Sequence, residues 1–513
     1  MIMNREYSSH HPGTLVGGGN AAEGSGPVDL LAQADVGVGT EREGTPMSST
    51  AGGQTLDAAA VLEGSAEPAR AAPARYGAGF WLITFVFVTG MAFSTVPTPL
   101  YSLYQVRDGF STFTITIVFA VYTVGVLASL LLAGHLSDLV GRRKVLLAAL
   151  ALELAAAVLF MAVPPLPVLI VARLTTGLGV GMLAPTATAH LQELHHAYRP
   201  GASPQRFEIV STAANIGGLG LGPLIAGVLA QYLDAPLRLP YLVFGVLLLI
   251  SVGAVALTPE TVEDRAATPA YRPLRLSVGQ SDTAGYVGAA AAGVASFAVF
   301  GLFTSLAPWF VGGTLHNTSH ALAGLIVFAV FSAAAAAQLL SSRLDASVRR
   351  STGLLAQAAG LALLAVGMHA VSLSLFLIGG IIASMGAGIL FKSAVGAVAA
   401  IAGAATRAEA LASLFLISYL GMALPALGVG VAMRYLSATV AVTWFSGVLL
   451  VLLAAVGVLS HVSMNGESRW NRPKRTTSGS ASGNIRAGAS GRPELPLTAM
   501  PARPAPAKLG KRQ

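Results

Sequence analysis

The chain has 513 residues, of which 54% are apolar and 11% charged, with a mean hydropathy of +0.68 and no cysteine. Soluble domains carry about 25% charged residues, so this composition excludes an ordinary soluble enzyme and points to a chain solvated by lipid. The missing cysteine excludes disulfides, thiolate metal centres and a cysteine nucleophile.

The net charge of +8 is unevenly spread. Residues 1–75 hold four basic and nine acidic residues, are rich in Gly, Ala, Ser, Thr and Glu, and read as a disordered tail. Residues 462–513 hold ten basic and two acidic residues and read as a second, basic disordered tail. Such a tail beside a membrane is drawn to anionic headgroups, and nucleic acid is not needed to explain it.

Between the tails lie twelve apolar runs, at 78–101, 114–134, 145–164, 166–191, 207–232, 240–258, 284–311, 319–341, 351–370, 372–400, 408–433 and 438–461. About 20 helical residues cross the hydrocarbon core, and a helix satisfies its own backbone there. The expected architecture is therefore all-α and integral to the membrane, with twelve spans. The chain divides into a six-helix bundle over 76–258, a polar linker over 259–283 and a second bundle over 284–461. Lys and Arg crowd the even-to-odd connections: Arg142, Arg143 and Lys144 after span 2, Arg265, Arg272 and Arg275 after span 6, and Arg343, Arg349 and Arg350 after span 8. The opposite side holds Arg107, Arg238 and Arg434. That bias places both termini in the cytoplasm.

The core also repeats itself. Asp138 and Arg142-Arg143 return as Asp345 and Arg349-Arg350, and Gly179-Val180-Gly181 returns as Gly386-Ala387-Gly388, all displaced by 207 residues. Agreement in order and spacing implies two pseudo-symmetric six-helix halves.

Three motifs carry chemistry. The connection after span 2 reads Gly134-His135-Leu136-Ser137-Asp138-Leu139-Val140-Gly141-Arg142-Arg143-Lys144. Gly134 permits close helix approach, Gly141 a tight turn, and Arg142 can pair with Asp138, itself a candidate helix cap. Span 4 carries Arg173 followed by Gly177; an arginine inside a membrane costs about 2.5–3.5 kcal/mol on insertion scales and needs a partner or a wet cavity. Span 5 reads Gly218-Leu219-Gly220-Leu221-Gly222-Pro223-Leu224-Ile225-Ala226-Gly227, a close-packing face broken by proline. These three resemble the signatures of the major facilitator superfamily, G-x-L-x-D-x-x-G-R-[RK]-[RK], the span 4 arginine, and G-x-x-x-G-P-x-x-G-G with Ala226 in place of one glycine.

The resemblance covers about 78–461 and implies a transporter, not an enzyme, working by alternating access without cofactor or metal. It implies that Gly134, Asp138, Gly141, Arg142 and Arg143 latch the two halves at the cytoplasmic gate near the start of span 11. Gly218, Gly222, Pro223 and Gly227 would form the packing hinge. The third signature marks proton-coupled exporters, so the expected activity is proton-driven efflux of a small organic molecule by a monomer in the plasma or inner membrane. Uniport, proton symport and a non-transporting sensor or scaffold are the alternatives.

Spans 1, 4, 7 and 10 line the cavity in this superfamily, which nominates Thr95, Arg173, Phe303, Thr304 and Lys392 as substrate or proton contacts. Spans 1, 7 and 10 carry no acid. The remaining carboxylate candidates are Glu153 in span 3, which is either locally hydrogen-bonded or a proton site, and Glu208 near the start of span 5. Lys392 either binds an anion or extends toward the interface. Pro97, Pro99 and Pro308 can break their helices and free carbonyls toward a cavity. Tyr101 and Trp309 could serve instead in the interfacial aromatic belt, and His190, His195 and His196 read as a solvated loop.

Overall fold

The computed structural model describes residues 71–470, apart from 134–135, 163–164, 263–281, 310, 313–317 and 404–405. Gly134, most of the predicted linker and nearly all of both predicted tails lie outside the described residues.

Among the described residues, twelve helices are long and apolar enough to cross a membrane. They are α1 (Ala71–Thr95), α2 (Thr112–Ala133), α3 (Arg142–Met161), α4 (Leu166–Tyr198), α5 (Gln205–Tyr232), α6 (Leu239–Leu257), α7 (Thr283–Trp309), α8 (His320–Leu340), α9 (Ala346–His369), α10 (Leu373–Ile401), α11 (Arg407–Ala432) and α12 (Ala438–Trp470). No strand occurs among the described residues. An even number of crossings puts the ends of α1 and α12 on one face, called here the terminal face; the other is the far face.

Local sequence explains the departures from regular helix. α1 stops at Thr95 because Pro97 and Pro99 lack the N–H groups that would continue its ladder. A turn over 96–100 follows, then a short helix over Tyr101–Asp108. α4 runs on to Tyr198, seven residues past its apolar run, so His190 and His195 are buried helical residues and not a solvated loop. His190 Nε2 contacts the Pro259 carbonyl at 3.1 Å. Within α5, residues Ala213–Gly217 form a π-helical turn immediately before Gly218, the kind of bulge that re-aims side chains.

Two apolar cores result. One gathers buried residues from Phe80 to Val255 together with Met422 and Ala426; the other gathers residues from Tyr286 to Val456. The six helices of each core meet those of the other along α2–α11 and α5–α8. At the far face this seam is tight. A Cβ at Gly227 would collide with the His320 carbonyl, and one at Gly324 with the Pro223 carbonyl. Thr116 packs on Gly430, and the Arg434 guanidinium lies 5.3 Å from the Phe113 ring centre. Ser102 Oγ meets His320 Nδ1 at 3.3 Å, and the His320 N–H donates to Gln231 Oε1 at 2.8 Å.

Candidate functional site: a cavity between the halves

The seam opens toward the terminal face into a cavity of about 450 Å³, within the range of small-molecule sites. Its lining runs from Ser94, Thr98 and Arg173 at the inner end to Phe207, Glu208, Lys392 and Val395 at the mouth. α4 and α10 face each other across it with no more than glancing contact.

The two walls differ in chemistry. The first half contributes Ser94, Thr95, Thr98, Tyr122, Asn215 and Arg173. The second half contributes a connected aromatic wall. Phe297 lies 4.8 Å from Phe391 and 5.2 Å from Tyr419 between ring centres, Phe391 lies 5.5 Å from Phe415, and Phe300 stacks on Phe331 at 5.1 Å. Phe297, Phe300 and Thr304 stand at i, i+3 and i+7 and so share one face of α7.

Arg173 is 1% exposed, and the broken end of α1 is what holds it. The Thr98 N–H bonds to the Thr95 carbonyl, one residue short of the α-helical partner. That leaves the Ser94 carbonyl free, and it accepts from Arg173 Nη1 at 2.8 Å. Nη2 donates to the Tyr101 hydroxyl. The guanidinium carbon sits 5.3, 5.7 and 5.9 Å from the ring centres of Tyr101, Tyr122 and Phe160. No carboxylate pairs with it among the described residues, and its Nε–H has no acceptor there. The charge is held by carbonyl, hydroxyl and aromatic faces, with one donor still unmatched.

At the mouth, Lys392 Nζ donates to the Gln338 carbonyl at 3.3 Å and to Ser342 Oγ. Glu208 stands opposite, within electrostatic reach of Lys392 but in no ion pair with it.

The motif after α2 forms a separate cluster. Arg142 is 8% exposed. It pairs with Asp138 at 2.6 Å and Glu193 at 2.8 Å, and donates to Ser137 Oγ at 2.6 Å. Thr261 Oγ1 donates to Glu193 at 2.5 Å. The Glu260 carboxylate accepts the backbone N–H groups of Arg142 and Arg143, each at 3.0 Å. Burial works to raise the Glu260 carboxyl, but the N–H donors of Arg143, Thr261, Val262 and Arg142 hold it below its ordinary value of 4.5. Gly141 adopts φ +107°, and a Cβ there would lie 2.9 Å from Glu260 Oε2, so glycine is required twice over.

A family model for the Major Facilitator Superfamily matches residues 80–344, just over half the chain. The chain belongs to the Major Facilitator Superfamily. Two solved structures of a POT family transporter, one in complex with a thioalcohol-conjugated peptide and one with 5-aminolevulinic acid, share the fold. Each has a TM-score of 0.59, with 14% and 13% identity, over 75% of this chain and 96% of theirs. A D-xylose-proton symporter-like protein 1 from Arabidopsis thaliana is 29% identical over 108 residues. That match covers 21% of this chain and about a fifth, 22%, of the plant protein. This protein is accordingly an integral membrane protein of the superfamily.

The expected site residues separate into four groups. Arg173, Thr95, Thr304, Glu208 and Lys392 come together around the cavity. Phe303 does not join them: it stands about 120° around α7 from Phe297, and its ring packs on Phe376 at 5.6 Å and against Gly380. Tyr101 is buried on Arg173 instead of serving the interfacial belt. Glu153 is fully buried behind the cavity wall, against α1 and α4.

Asp138, Gly141, Arg142 and Arg143 tie α3, α4 and the start of the linker together, all on the first half. In this conformation they make no ion pair to α11 among the described residues. Gly218 and Gly222 pack α5 on α1, where added Cβ atoms would meet Met91 Cβ at 2.8 Å and the Ala92 carbonyl; Pro223 and Gly227 pack it on α8. The aromatic wall, Tyr122 and Asn215 were not singled out from the sequence. Their signal is a helical stripe, Phe415, Tyr419 and Met422 on α11 for instance, buried in spans that are apolar all round.

Proposed function

We propose that the protein moves a small amphipathic organic molecule, anionic or neutral, across the cell membrane by proton-coupled alternating access, most simply as efflux. The cavity carries this reading. A substrate with an apolar or aromatic body fits the Phe297–Tyr419–Phe391 wall, while a carboxylate or hydroxyl suits the positive charge that Arg173 places at the inner end without a carboxylate partner among the described residues. The basic surplus of the terminal-face loops supports a cytoplasmic location for that face. The structure would then be the inward-open state, with the far-face seam shut and the Asp138 cluster free to engage the second half when the cavity closes. Thr95 and Thr304 would complete the polar contacts, with Lys392 and Glu208 at the entrance. The likeness to a proton symporter favours symport as the second reading.

The test uses inside-out vesicles under an imposed proton gradient with a pH-sensitive dye and a panel of lipophilic cations, aromatic carboxylic acids and neutral aromatic alcohols. Proton release triggered by an acid or alcohol, and lost in Arg173→Ala, is the expected result. A response confined to the cations refutes the substrate class, and substrate moving in the same direction as the proton, under either gradient, replaces efflux by symport.

A further inference from the structure

Glu153 on α3 is 0% exposed, and neither of its carboxyl oxygens has a hydrogen-bond partner among the described residues. It is wedged between two glycines. A Cβ at Gly179 on α4 would lie 2.9 Å from Glu153 Cγ, and one at Gly90 on α1 would lie 3.0 Å from Oε2. An ionised carboxylate in that position has lost its water and gained no donor, a state that costs far more than neutralising it.

The second half contains the counterpart of this joint. Gly386 on α10, which matches Gly179 in the repeat, packs against Gln357 on α9. Gln357 is also 0% exposed. Its Nε2 donates to the Ala295 carbonyl on α7 at 2.7 Å. Gln357 follows Glu153 by 204 residues and Ala295 follows Gly90 by 205, within one helical turn of the 207-residue repeat, so the two contacts fall at similar heights. In the second half a neutral side chain that donates a hydrogen joins these three helices permanently. A glutamate can act in the same way only while it carries a proton, since the ionised form has acceptors alone.

We infer that Glu153 is a proton-binding site, protonated in this conformation, which puts a titratable side chain into the α1–α3–α4 joint where the α7–α9–α10 joint holds a neutral, hydrogen-bonded glutamine. The groups around it are sparse. α4 carries Arg173 six residues before Gly179 and α2 presents Tyr122, while α1 carries no titratable residue between Gly79 and Thr95. The Tyr122 phenol lies in the fields of both Arg173 and Glu153 and lines the cavity. Loss of the proton therefore leaves a bare carboxylate between α1, α3 and α4, behind the wall that carries Tyr122 and the buried guanidinium. That this proton is the one coupled to flux rests on the transport reading above; its presence on Glu153 does not.

The experiment is infrared difference spectroscopy of the full chain in nanodiscs between acid and alkaline buffer, in H2O and D2O. The expected result is a carbonyl band of a protonated carboxylic acid that shifts in D2O and disappears in Glu153→Gln, with helical content retained because glutamine already occupies the equivalent place. Absence of the band in the wild type, or its persistence in Glu153→Gln, overturns the assignment. Should that variant not fold, Glu153→Asp must displace the band, and an unmoved band is equally fatal. In the vesicle assay, Glu153→Gln is expected to keep downhill flux of a responding compound and lose its dependence on pH. Wild-type flux indifferent to pH, with the infrared band intact, would instead refute proton coupling and leave the site standing.

Discussion

Gly222 offers the sharpest test of how the halves are built. A Cβ placed there runs into the Ala92 carbonyl oxygen and lies 2.6 Å from Thr95 Oγ1. Thr95 Oγ1 is itself committed to the Leu219 carbonyl at 2.9 Å, bonding α1 to α5. The obstacle is backbone, so no rotamer change relieves it; α1 and α5 must separate. Gly222→Ala is expected to cost about 1–3 kcal/mol through overpacking, offset by about 1 kcal/mol of improved helix propensity. Gly245 on α6 is the control, since a Cβ there meets nothing within 4 Å and Gly245→Ala retains only the propensity gain. Thermal unfolding in one detergent should place the two variants on opposite sides of the wild type. Gly222→Ala at or above the stability of Gly245→Ala would refute the packing argument.

The other predictions touch charge. The N–H donors around Glu260 hold its carboxyl below 4.5, so its contribution to stability is complete above that pH and is lost as pH falls through the lower folded value. Glu260→Gln should therefore flatten the decline of melting temperature below pH 4.5, and parallel curves for variant and wild type would contradict this. Asp138 is 59% exposed in its pair with Arg142, so Asp138→Asn should leave melting nearly unchanged while slowing transport; unimpaired flux would remove the latch role. Arg173→Lys keeps the charge but cannot reach both the Ser94 carbonyl and the Tyr101 hydroxyl with a rigid fork. Loss of about 1.5–3 kcal/mol of charge-assisted bonding predicts a drop in apparent substrate affinity of tenfold or more, read from concentration-dependent flux.

The spans were legible because a membrane helix announces itself by length and hydropathy, and Pro164-Pro165 divided α3 from α4 without help from tertiary structure. The repeat was legible through Asp138/Asp345 and Gly179/Gly386. Facing was not. Spans that are apolar on every side carry no amphipathic period, so nothing separates Phe303, turned into its own half, from Phe297 and Phe300 on the cavity. For the same reason Glu153 and Glu208 read alike as candidate acids, although one is sealed between helices and the other stands at the entrance. Arg173 was conspicuous as a charge, but its partners depend on a carbonyl released by a proline-broken turn, which only coordinates reveal.

The far-face seam sets how finely balanced the molecule is. Where Gly227 meets the His320 carbonyl and Gly324 meets that of Pro223, main chain rests on main chain, so α5 can pivot on α8 with little side-chain surface changing its solvation. Besides the Thr116–Gly430 and Arg434–Phe113 contacts, such a pivot would break Ser102–His320 and His320–Gln231, two hydrogen bonds worth about 0.5–1.5 kcal/mol apiece. A bias of that size favours one orientation by about 5- to 150-fold. A passenger that prefers the other orientation by a similar factor is enough to redistribute the population. On the proposed alternating-access reading, occupancy of the cavity would thus contribute to setting the resting orientation.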